Sequence, residues 1–555
     1  MNNIINDNFF YIDSNNINEI KDRFYGYIIV NKDNKISLLS SIDDLNINSN
    51  NILNGEYIFI KKDQNNNINI YCDDFSTFYI YYYQNEHFFA ISNSFYLLLE
   101  NLKKKEISNN IILTPNKIVI DEYIQSGLRT YAIYDTLIKE INIVPIFTNI
   151  KISNNHIHFI RKEIELDYIN ILSREGIFIL DKWIDKYANI IHSLLNTNYQ
   201  TQIDLSGGFD SRVIFSLIHY SNIDWNKDNI HIYSKIGDNK GMIKHLSNDY
   251  DIATEIVNKL NLEIDTNKNY NIQSVRYSGQ QMYSLLKNMF MGVHKEGYYC
   301  CKNYNEPLLH FGGINGEIIR GSCADLDEIK KYFLSVNPIR NSVEVYNKLN
   351  NDFNNILRES SSRYSALQKM YLATLCKSHF GMSIYNAFIA NMYNLSPFND
   401  KDLLRLHIPN GYKKDLLFAL IIYRTTPELF NIKFTNDKDF DDNIKSICIE
   451  ISNKYPKQQI NFTNNDVFIQ DAYKYNYEIE KDNLVGDNIL YQVFKENKDL
   501  FINEMSKLFD KEYAIKLYDY ADRFYLNKDN FYPNKWITCL TSIIEVFKIL
   551  NNTNE

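Results

Sequence analysis

The residues best able to do chemistry lie in the short turn 206–211 (SGGFDS), between a strand-like run and an apolar helical pattern. A strand that enters a glycine-rich turn and then a helix directs several backbone N–H groups, and the helix N-terminus, at one point. The adjacent glycines let the backbone approach a ligand without a Cβ in the way. Ser206 and Ser211 add hydroxyl donors. The turn therefore predicts a seat for phosphate oxygens.

Asp210 narrows the chemistry of this turn. Its carboxylate would repel a bare phosphate, which implies a bridging cation, ordinarily Mg²⁺. The turn lacks the lysine of G-x-x-x-x-G-K-[ST], the loop that holds ATP for transfer of its γ-phosphate. It suits instead the pyrophosphate half of an ATP that is attacked at its α-phosphate. The structural alternative is a tight strand–helix turn that is capped by Ser and Asp side chains.

The surrounding elements can place such a turn at the edge of a parallel sheet. Residues 1–165 contain short aromatic and β-branched runs divided by Asn, Asp and Gly turns, which predict a β-rich region. From about 166, strand-like QIDL and NIHIYS alternate with helical segments, and this alternation predicts a parallel sheet covered by helices. The run PLLHFGG predicts a further strand. Beyond about 340 the pattern is almost wholly helical.

Composition excludes several functional classes. The chain has 555 residues, of which 45% are hydrophobic, so two or three domains with large cores are expected. No run reaches the ~18 to 20 apolar residues of a membrane span, and the N-terminus lacks a signal-peptide pattern. The net charge of −9, without a basic stripe, argues against a nucleic-acid partner. Scattered cysteines without a C-x-x-C pair indicate free thiols, so we expect a cytoplasmic protein.

With several further segments, the turn resembles the pyrophosphate-binding motif of N-type ATP pyrophosphatases, specifically the asparagine synthetase-like group, which includes β-lactam synthetases. Four later segments are similar to that group in the same order: SNDYDIATEIVNKLNLE (247–263), HFGGINGEIIRGS (310–322), NLSPFNDKDLLRLHIPN (394–410) and TTPELFNIKF (425–434). Four earlier segments resemble its N-terminal-nucleophile (Ntn) glutaminase domain: LNGEYIFIKKD (53–63), YCDDFSTFYIYYY (71–83), FFAISNSFYLLLENL (88–102) and TLIKEINIVP (136–145). The resemblance covers roughly residues 20–435.

The resemblance implies a fold of three parts. Residues 1–165 would form an α+β Ntn-hydrolase-like domain, and 166–435 an α/β parallel-sheet domain of the adenine nucleotide alpha hydrolase-like (PP-loop) type. Residues 436–555 would form a helical C-terminal extension.

The resemblance also implies ATP and Mg²⁺ as cofactors. The ATP-binding residues carried over from it are Leu205, Ser206, Gly207, Gly208, Phe209, Asp210, Ser211, Ser234, Gly312 and Gly313. The implied metal ligands are Asp210 and Glu317. Together with Arg320, these two are also the implied catalytic residues.

Two departures from the family alter the expected function. A working glutaminase domain uses an N-terminal cysteine, but Asn2 stands here and the first cysteine is Cys72. We therefore expect an inactive glutaminase domain and a substrate amine as the nucleophile. In the second glycine-rich loop, Gly316 replaces the Asp of the family's Asp-Glu pair, while Glu317 remains. Arg320 either faces a phosphate or substrate carboxylate, or pairs with Glu317.

Three other polar residues have weaker assignments. Arg212 replaces a small residue of the asparagine enzymes. It is expected to cover the triphosphate, with a position in solvent as the alternative. Lys433 lies near the place of a catalytic lysine in the family. His310 is interpreted as a hydrogen-bonded packing residue.

The expected function is an ATP-dependent amide-bond synthetase that does not hydrolyse glutamine. The substrate carboxylate attacks the α-phosphate, pyrophosphate leaves, and an amine attacks the acyl-adenylate and releases AMP. The adenine would lie at the strand ends near Leu205 and Ser234. The alternatives are ammonia-dependent amidation of a sugar acid or peptide in glycan or natural-product synthesis, and a degenerate nucleotide-binding pseudoenzyme. The expected partners are small-molecule or peptide carboxylates and amines, without nucleic acid or membrane. A homodimer is the assembly considered.

Overall fold

A computed structural model describes most of the chain. The described residues are 8–32, 35–40, 52–125, 133–164, 166, 169–234, 243–265, 274–276, 279–292, 302–304, 306–320, 342–409, 415–435, 438–458, 460–462, 466–469, 486–526 and 534–552. Asn2 lies outside these ranges. Within them, no helix combines the length and the apolar character needed to cross a membrane.

The strands of the described chain are short and concentrated in its first third. They are β1 (Tyr11–Asp13), β2 (Arg23–Lys32), β3 (Lys35–Leu39), β4 (Ile52–Lys62), β5 (Ile68–Cys72), β6 (Tyr81–Gln84), β7 (Phe89–Ser92), β8 (Asn142–Ile143), β9 (Thr148–Ser153), β10 (His156–Arg161), β11 (Ile169–Asn170), β12 (Thr201–Asp204), β13 (Ile230–Tyr233), β14 (Ser274–Arg276), β15 (Lys302–Tyr304), β16 (Leu308–Phe311), β17 (Met392–Leu395), β18 (Leu406–His407) and β19 (Asp466–Ile469).

The α-helices dominate the later part of the described chain. They are α1 (Phe95–Lys104), α2 (Lys117–Gln125), α3 (Arg174–Leu195), α4 (Phe209–Tyr220), α5 (Ile243–Lys259), α6 (Gly279–Met289), α7 (Gly316–Arg320), α8 (Val343–Arg358), α9 (Arg363–Tyr371), α10 (Met382–Ile389), α11 (Lys401–Leu404), α12 (Leu416–Thr425), α13 (Asp442–Lys454), α14 (Gly486–Glu496), α15 (Lys498–Leu508), α16 (Lys511–Leu526) and α17 (Asn534–Asn551). A π-helical stretch (Leu372–Gly381) joins α9 to α10.

The N-terminal strands lie in two sheets flanked by helices and pair with one another antiparallel, in agreement with the predicted β-rich character of this region. The larger sheet has the order β10-β9-β5-β4-β2-β3-β19, and the smaller one β1-β7-β6-β8. Buried side chains alternate with less buried ones along β4 and β9, because each strand turns one face towards a core. Helix α1 packs on β6 and β7 and begins after Ser94, whose side chain accepts from the N–H of Leu97.

The predicted parallel sheet follows in the middle of the chain. Its strands pair in the order β13-β12-β16-β17, and each of these pairings is parallel. Strands β12, β13 and β16 coincide with the runs QIDL, NIHIYS and PLLHFGG, so these three strand predictions are confirmed. All four residues of β16 are buried, as expected for an internal strand that is covered on both faces. The fold therefore has mixed α/β content with several sheets, among them this four-stranded parallel sheet.

The C-terminal region, expected to be helical, also contributes a strand to the N-terminal sheet. Strand β19 pairs in parallel with β3. Helix α17 packs against α1 and α2, where the hydroxyl of Tyr123 lies 3.4 Å from the Oγ of Ser542. The hydroxyl of Tyr283 donates to Glu545 at 2.9 Å. These contacts join the C-terminal helices to the hydrophobic core of the preceding regions.

Strands β2 and β4 approach each other closely at one glycine. Gly26 has a φ of +95°, a conformation that residues with a side chain rarely adopt. A Cβ at this position would overlap the backbone carbonyl of Glu56 and lie 2.7 Å from the ring of Phe78. The pairing sets Tyr27 directly opposite Glu56, and both side chains are buried.

We expect Gly26→Ala to lower the free energy of unfolding by about 3 kcal/mol, because the new Cβ meets rigid backbone at a strained φ. Urea unfolding of the purified chain measures this loss. Gly312→Ala is the matched control, because a Cβ there would meet only the ring of His310 at 3.4 Å or more. Its cost should stay below about 1 kcal/mol. Equal stability of the two variants would contradict the close β2–β4 approach.

Candidate functional site

The glycine turn follows the carboxyl end of β12, inside the parallel sheet. Strand β13 pairs on one side of β12 and β16 on the other. Between β13 and β16 the chain therefore crosses from one side of β12 to the other, so the strand order reverses here. The N–H of Leu205 donates to the carbonyl of Tyr233 at 2.8 Å, so pairing with the β13 side continues up to the turn. In open parallel sheets a crevice forms where the strand order reverses, at the carboxyl ends of the strands. The predicted phosphate seat lies at this position.

Two serine hydroxyls hold the glycine turn in shape. The Oγ atoms of Ser206 and Ser211 lie 2.9 Å apart, and the N–H of Ser206 donates to the Oγ of Ser211 at 3.1 Å. The N–H of Gly208 donates to the Oγ of Ser206 at 3.2 Å. Helix α4 then begins after Gly208 without a side-chain cap. The N-terminus of a helix without such a cap favours an anion, because its first N–H groups lack partners within the helix.

The second glycine-rich loop lies directly against Asp210. A Cβ at Gly313 would be 2.6 Å from the Cβ of Asp210 and 2.8 Å from the backbone nitrogen of Ser211. A Cβ at Gly316 would be 2.5 Å from the Cγ of Asp210 and closer still to its Oδ1. The structure therefore brings the two predicted loops together, and it does so through positions where any side chain would collide.

The two carboxylates expected to hold Mg²⁺ belong to these two loops. Asp210 is partly buried beside the second loop, and Glu317 follows the contact residue Gly316 in the chain. The hydroxyl of Tyr371 donates to the Oε2 of Glu317 at 3.4 Å. Arg320 belongs to α7, but its side chain lies outside the described residues, so its predicted roles stay predictions.

The donor chemistry of this pair fits Mg²⁺. In the part of the chain that the structure describes, no group of three or more His, Cys, Asp and Glu side chains is arranged to hold a metal ion. Mg²⁺ in nucleotide sites commonly takes one or two carboxylates and completes its octahedron with phosphate oxygens and water. Asp210 and Glu317 therefore remain the candidate ligands.

The end of strand β13 offers a polar group next to the turn. Ser234 is buried with 4% of its surface exposed, and its Oγ has no hydrogen-bond partner among the described residues. Buried hydroxyls are normally satisfied, so a lone one calls for an explanation such as a ligand or water. Ser234 was predicted at the adenine end of the site, together with Leu205, which is also buried.

Arg212 does not cover the turn as expected; it is part of the core. Its side chain is completely buried and donates to the backbone carbonyls of Ile432 and Lys433, the latter at 2.6 Å. Its guanidinium lies 3.7 Å from the ring centre of Phe434, which also stacks on Phe209. The prediction that Arg212 faces the triphosphate is therefore wrong, because the planar guanidinium is held by two carbonyls and an aromatic face.

Asp249 and Thr435 contact the turn and were not predicted from the sequence. The N–H of Gly207 donates to the Oδ1 of Asp249 at 3.1 Å, and the hydroxyl of Thr435 bonds to the same oxygen. The N–H of Thr435 donates to the carbonyl of Gly207 at 3.0 Å. Asp249 thus satisfies an N–H that the sequence assigned to phosphate. The acidic residues of segment 247–263 were a signal in the sequence for a polar contact. The contacts of Asp249 with Gly207 and Thr435 nevertheless join residues that are far apart in the chain, so the local pattern did not predict them.

His310 is a hydrogen-bonded packing residue, as interpreted from the sequence. Its Nε2 lies 2.8 Å from the Oδ2 of Asp204, and its Nδ1 lies 3.0 Å from the Oδ1 of Asn394. Burial alone would lower the pKa of His310, but the Asp204 carboxylate and both hydrogen bonds leave this pKa above its ordinary value. The side chains of three adjacent strands thus form a polar row across the parallel sheet.

A polar cleft of about 450 Å³ lies elsewhere, beside the N-terminal strands. Its lining includes Asn54, Asp73, Lys186, Asn399 and Asp400, and does not include the glycine turn. The candidate site is therefore defined by the strand order and the two glycine loops and not by this cleft.

Comparison with known proteins leaves the family open. No protein-family model matches the chain, and no curated protein matches it significantly.

We expect Arg212→Lys to lower the free energy of unfolding by about 2–3 kcal/mol without nucleotide, because lysine cannot reach two carbonyls and stack on Phe434. Urea unfolding measures this loss, with exposed Arg174→Lys as the matched control. Unchanged stability together with weaker ATP binding would instead assign Arg212 to the nucleotide.

Proposed function

We propose that the protein is an AMP-forming carbon–nitrogen ligase of the asparagine synthetase-like type, with an Ntn-hydrolase-like domain and a PP-loop domain. The observation that carries this proposal is the meeting of the two glycine-rich loops at Asp210. It occurs at the carboxyl ends of β12 and β16, where parallel sheets of this strand order bind their ligands.

In this proposal the turn receives the pyrophosphate half of ATP. The backbone N–H groups at the start of α4 and the hydroxyls of Ser206 and Ser211 face the phosphate oxygens. Binding requires the Gly207 N–H to exchange its acceptor, the carboxylate of Asp249, for a phosphate oxygen. Gly312 and Gly313 pass beside the phosphates on the other side. Ser234 and the backbone of Leu205 accept the adenine at the neighbouring strand end.

In this proposal Asp210 and Glu317 would hold Mg²⁺, and a bound Mg²⁺ would supply positive charge beside the pyrophosphate group. The chain then orients the substrate carboxylate towards the α-phosphate and keeps the leaving group on the helix N-terminus. An amine of the substrate, or of a second substrate, completes the amide and releases AMP. The proposal keeps the expectation of an inactive glutaminase domain, so its nucleophile is a substrate amine and not ammonia from glutamine.

A nucleotide-binding protein without catalysis is the second candidate. It is favoured by Gly316, which removes the Asp that accompanies Glu317 in the family. The ammonia-dependent amidation of a sugar acid or peptide shares the adenylation step and differs only in the nucleophile.

We expect Mg²⁺ and ATP to raise the melting temperature, since a ligand at about 100 times its Kd contributes about 2.7 kcal/mol to stability.

We also expect exchange of labelled pyrophosphate into ATP that depends on a carboxylic acid substrate, measured with pools of amino acids, sugar acids and peptides. Asp210→Asn should abolish the exchange and the Mg²⁺ dependence of binding. Asp224→Asn, which removes an exposed carboxylate, should change neither.

The outcomes separate the candidates. Exchange that depends on an acid and on Asp210 supports a synthetase, and product analysis with ammonia or amines then identifies the nucleophile. Binding that needs no Mg²⁺, with no exchange for any acid, would leave only the nucleotide-binding protein. Glutamine-dependent amide formation would overturn the claim that the glutaminase domain is inactive.

A further inference from the structure

The segment 394–400, which begins in β17 and ends before α11, is held by side chains from earlier parts of the chain. The hydroxyl of Tyr27 in β2 donates to the carbonyl of Asn394 at 3.0 Å. The side-chain amide of Asn54 in β4 donates to the carbonyl of Asn399 at 3.1 Å. The indole N–H of Trp183 in α3 donates to the carbonyl of Pro397 at 3.2 Å. The backbone of this segment is thus fixed at three points.

The same segment holds the second glycine-rich loop. The hydroxyl of Ser396 donates to the carbonyl of Ile314 at 2.7 Å. The side-chain amide of Asn315 donates to the side-chain oxygen of Asn399. Asn315 is completely buried and has a φ of +68°, a left-handed conformation that is uncommon in residues other than glycine but that Asn adopts more readily than most. Its side chain is held at the same time by Asn399.

The row of hydrogen-bonded side chains ends at a carboxyl group of the N-terminal domain. The amide nitrogen of Asn399 donates to the Oε1 of Glu56, and both residues are buried. Three polar side chains from three separate regions, Glu56, Asn399 and Asn315, therefore form a continuous row. It leads from β4 to the residue before Gly316, whose backbone lies on Asp210.

We propose that the row Glu56–Asn399–Asn315 is a positioning relay, through which the N-terminal domain holds the 312–316 loop against Asp210. This inference deepens the proposed function, on which it rests for the assignment of that loop to the nucleotide. Glu56 is a positioning residue, because it acts through two asparagines and does not touch the loop.

The charge state of Glu56 suits this role. Burial, followed by the charge of Asp73, raises the pKa of Glu56 from its ordinary value of 4.5 to about 8. The hydroxyl of Tyr27 and the amide of Asn399 act in the opposite direction, and the thiol of Cys376 lies within electrostatic range. At neutral pH the carboxyl is therefore mostly protonated, and it accepts from Asn399 without placing a net charge in the core.

Amide hydrogen exchange of the loop tests the relay without requiring ATP or turnover. The reporters are the N–H groups of Gly316 and Ile318, which donate to the carbonyls of Gly313 and Asn315. Glu56→Leu and Asn399→Leu should each reduce their protection about tenfold, because a buried amide loses its partner. Glu56→Gln, which is neutral and can still accept from Asn399, should stay within about twofold of the unaltered chain.

Thr136→Val is the matched control for general destabilisation. Its hydroxyl is buried in the N-terminal domain and bonds to the carbonyls of Ile138 and Ile141, away from segment 394–400. It should lower the melting temperature and leave the loop amides protected. Loop protection that is unchanged in both leucine variants, or reduced equally by Thr136→Val, would overturn the relay.

The exchange data also separate failure of the relay from failure of the proposed function. Loop amides that respond to Glu56 in a chain without ATP binding would support the relay and refute the ligase. Pyrophosphate exchange with normal ATP dependence in Glu56→Leu, together with unchanged loop protection, would support the ligase and refute the relay. If the relay and the ligase proposals are both correct, Glu56→Leu should reduce the maximal rate of pyrophosphate exchange about tenfold more than Glu56→Gln does.

The melting temperature of Glu56→Gln, measured across a series of pH values, provides a second test. It uses a conservative variant and requires no measurement of activity. Because the folded-state pKa of Glu56 lies above its ordinary value, folding retains a proton, and the contribution of this carboxyl group to stability falls as pH rises from about 4.5 to about 8. Glu56→Gln lacks this loss. Its melting temperature relative to the unaltered chain should therefore rise by at least about 2 °C between pH 5 and pH 8. Parallel curves for the two proteins would contradict a buried, protonated Glu56.

Discussion

The candidate site depends on the close contact between Asp210 and the backbone of the second glycine-rich loop. Adjacent strands of a sheet lie about 4.8 Å apart, so the loops that follow β12 and β16 must share a narrow space. Gly313 and Gly316 lie where a Cβ would overlap Asp210. The strand order brings the loops together, but only the absence of two side chains lets them touch. Every role assigned to Asp210 follows from this approach.

This contact gives a physical meaning to the departure at Gly316. In the conformation of the described chain, an Asp at this position would place its Cβ within 2.5 Å of the Cγ of Asp210. Two carboxylates cannot share that space without moving the loop. The absence of a side chain at Gly316 thus allows the two loops to pack closely. Within the turn, the buried N–H of Gly207 is satisfied by the carboxylate of Asp249, as expected for a polar group that is shielded from water.

Local sequence pattern predicted the elements that place the site, but not all contacts of its side chains. Strands β12, β13 and β16 follow from apolar runs bounded by turn residues, and the glycines mark the turn. Arg212 was assigned wrongly because its partners, the carbonyls of Ile432 and Lys433, lie about 220 positions away. No local pattern encodes such a partner. Asn315 was detectable in principle, since Asn before Gly commonly adopts a left-handed turn conformation.

Polar contacts from the N-terminal strands fix the position of segment 394–400. Apolar packing would join the two regions with less desolvation cost than buried polar groups do, and it would tolerate sliding. Tyr27 and Asn54 donate hydrogen bonds to segment 394–400, and Glu56 accepts one from it; these bonds have definite directions, so they select one relative placement of the strands. That placement reaches Asn315 through its hydrogen bond to Asn399. The polar contacts therefore contribute geometry at the glycine loops, where a displacement of a fraction of an ångström separates contact with Asp210 from an open gap.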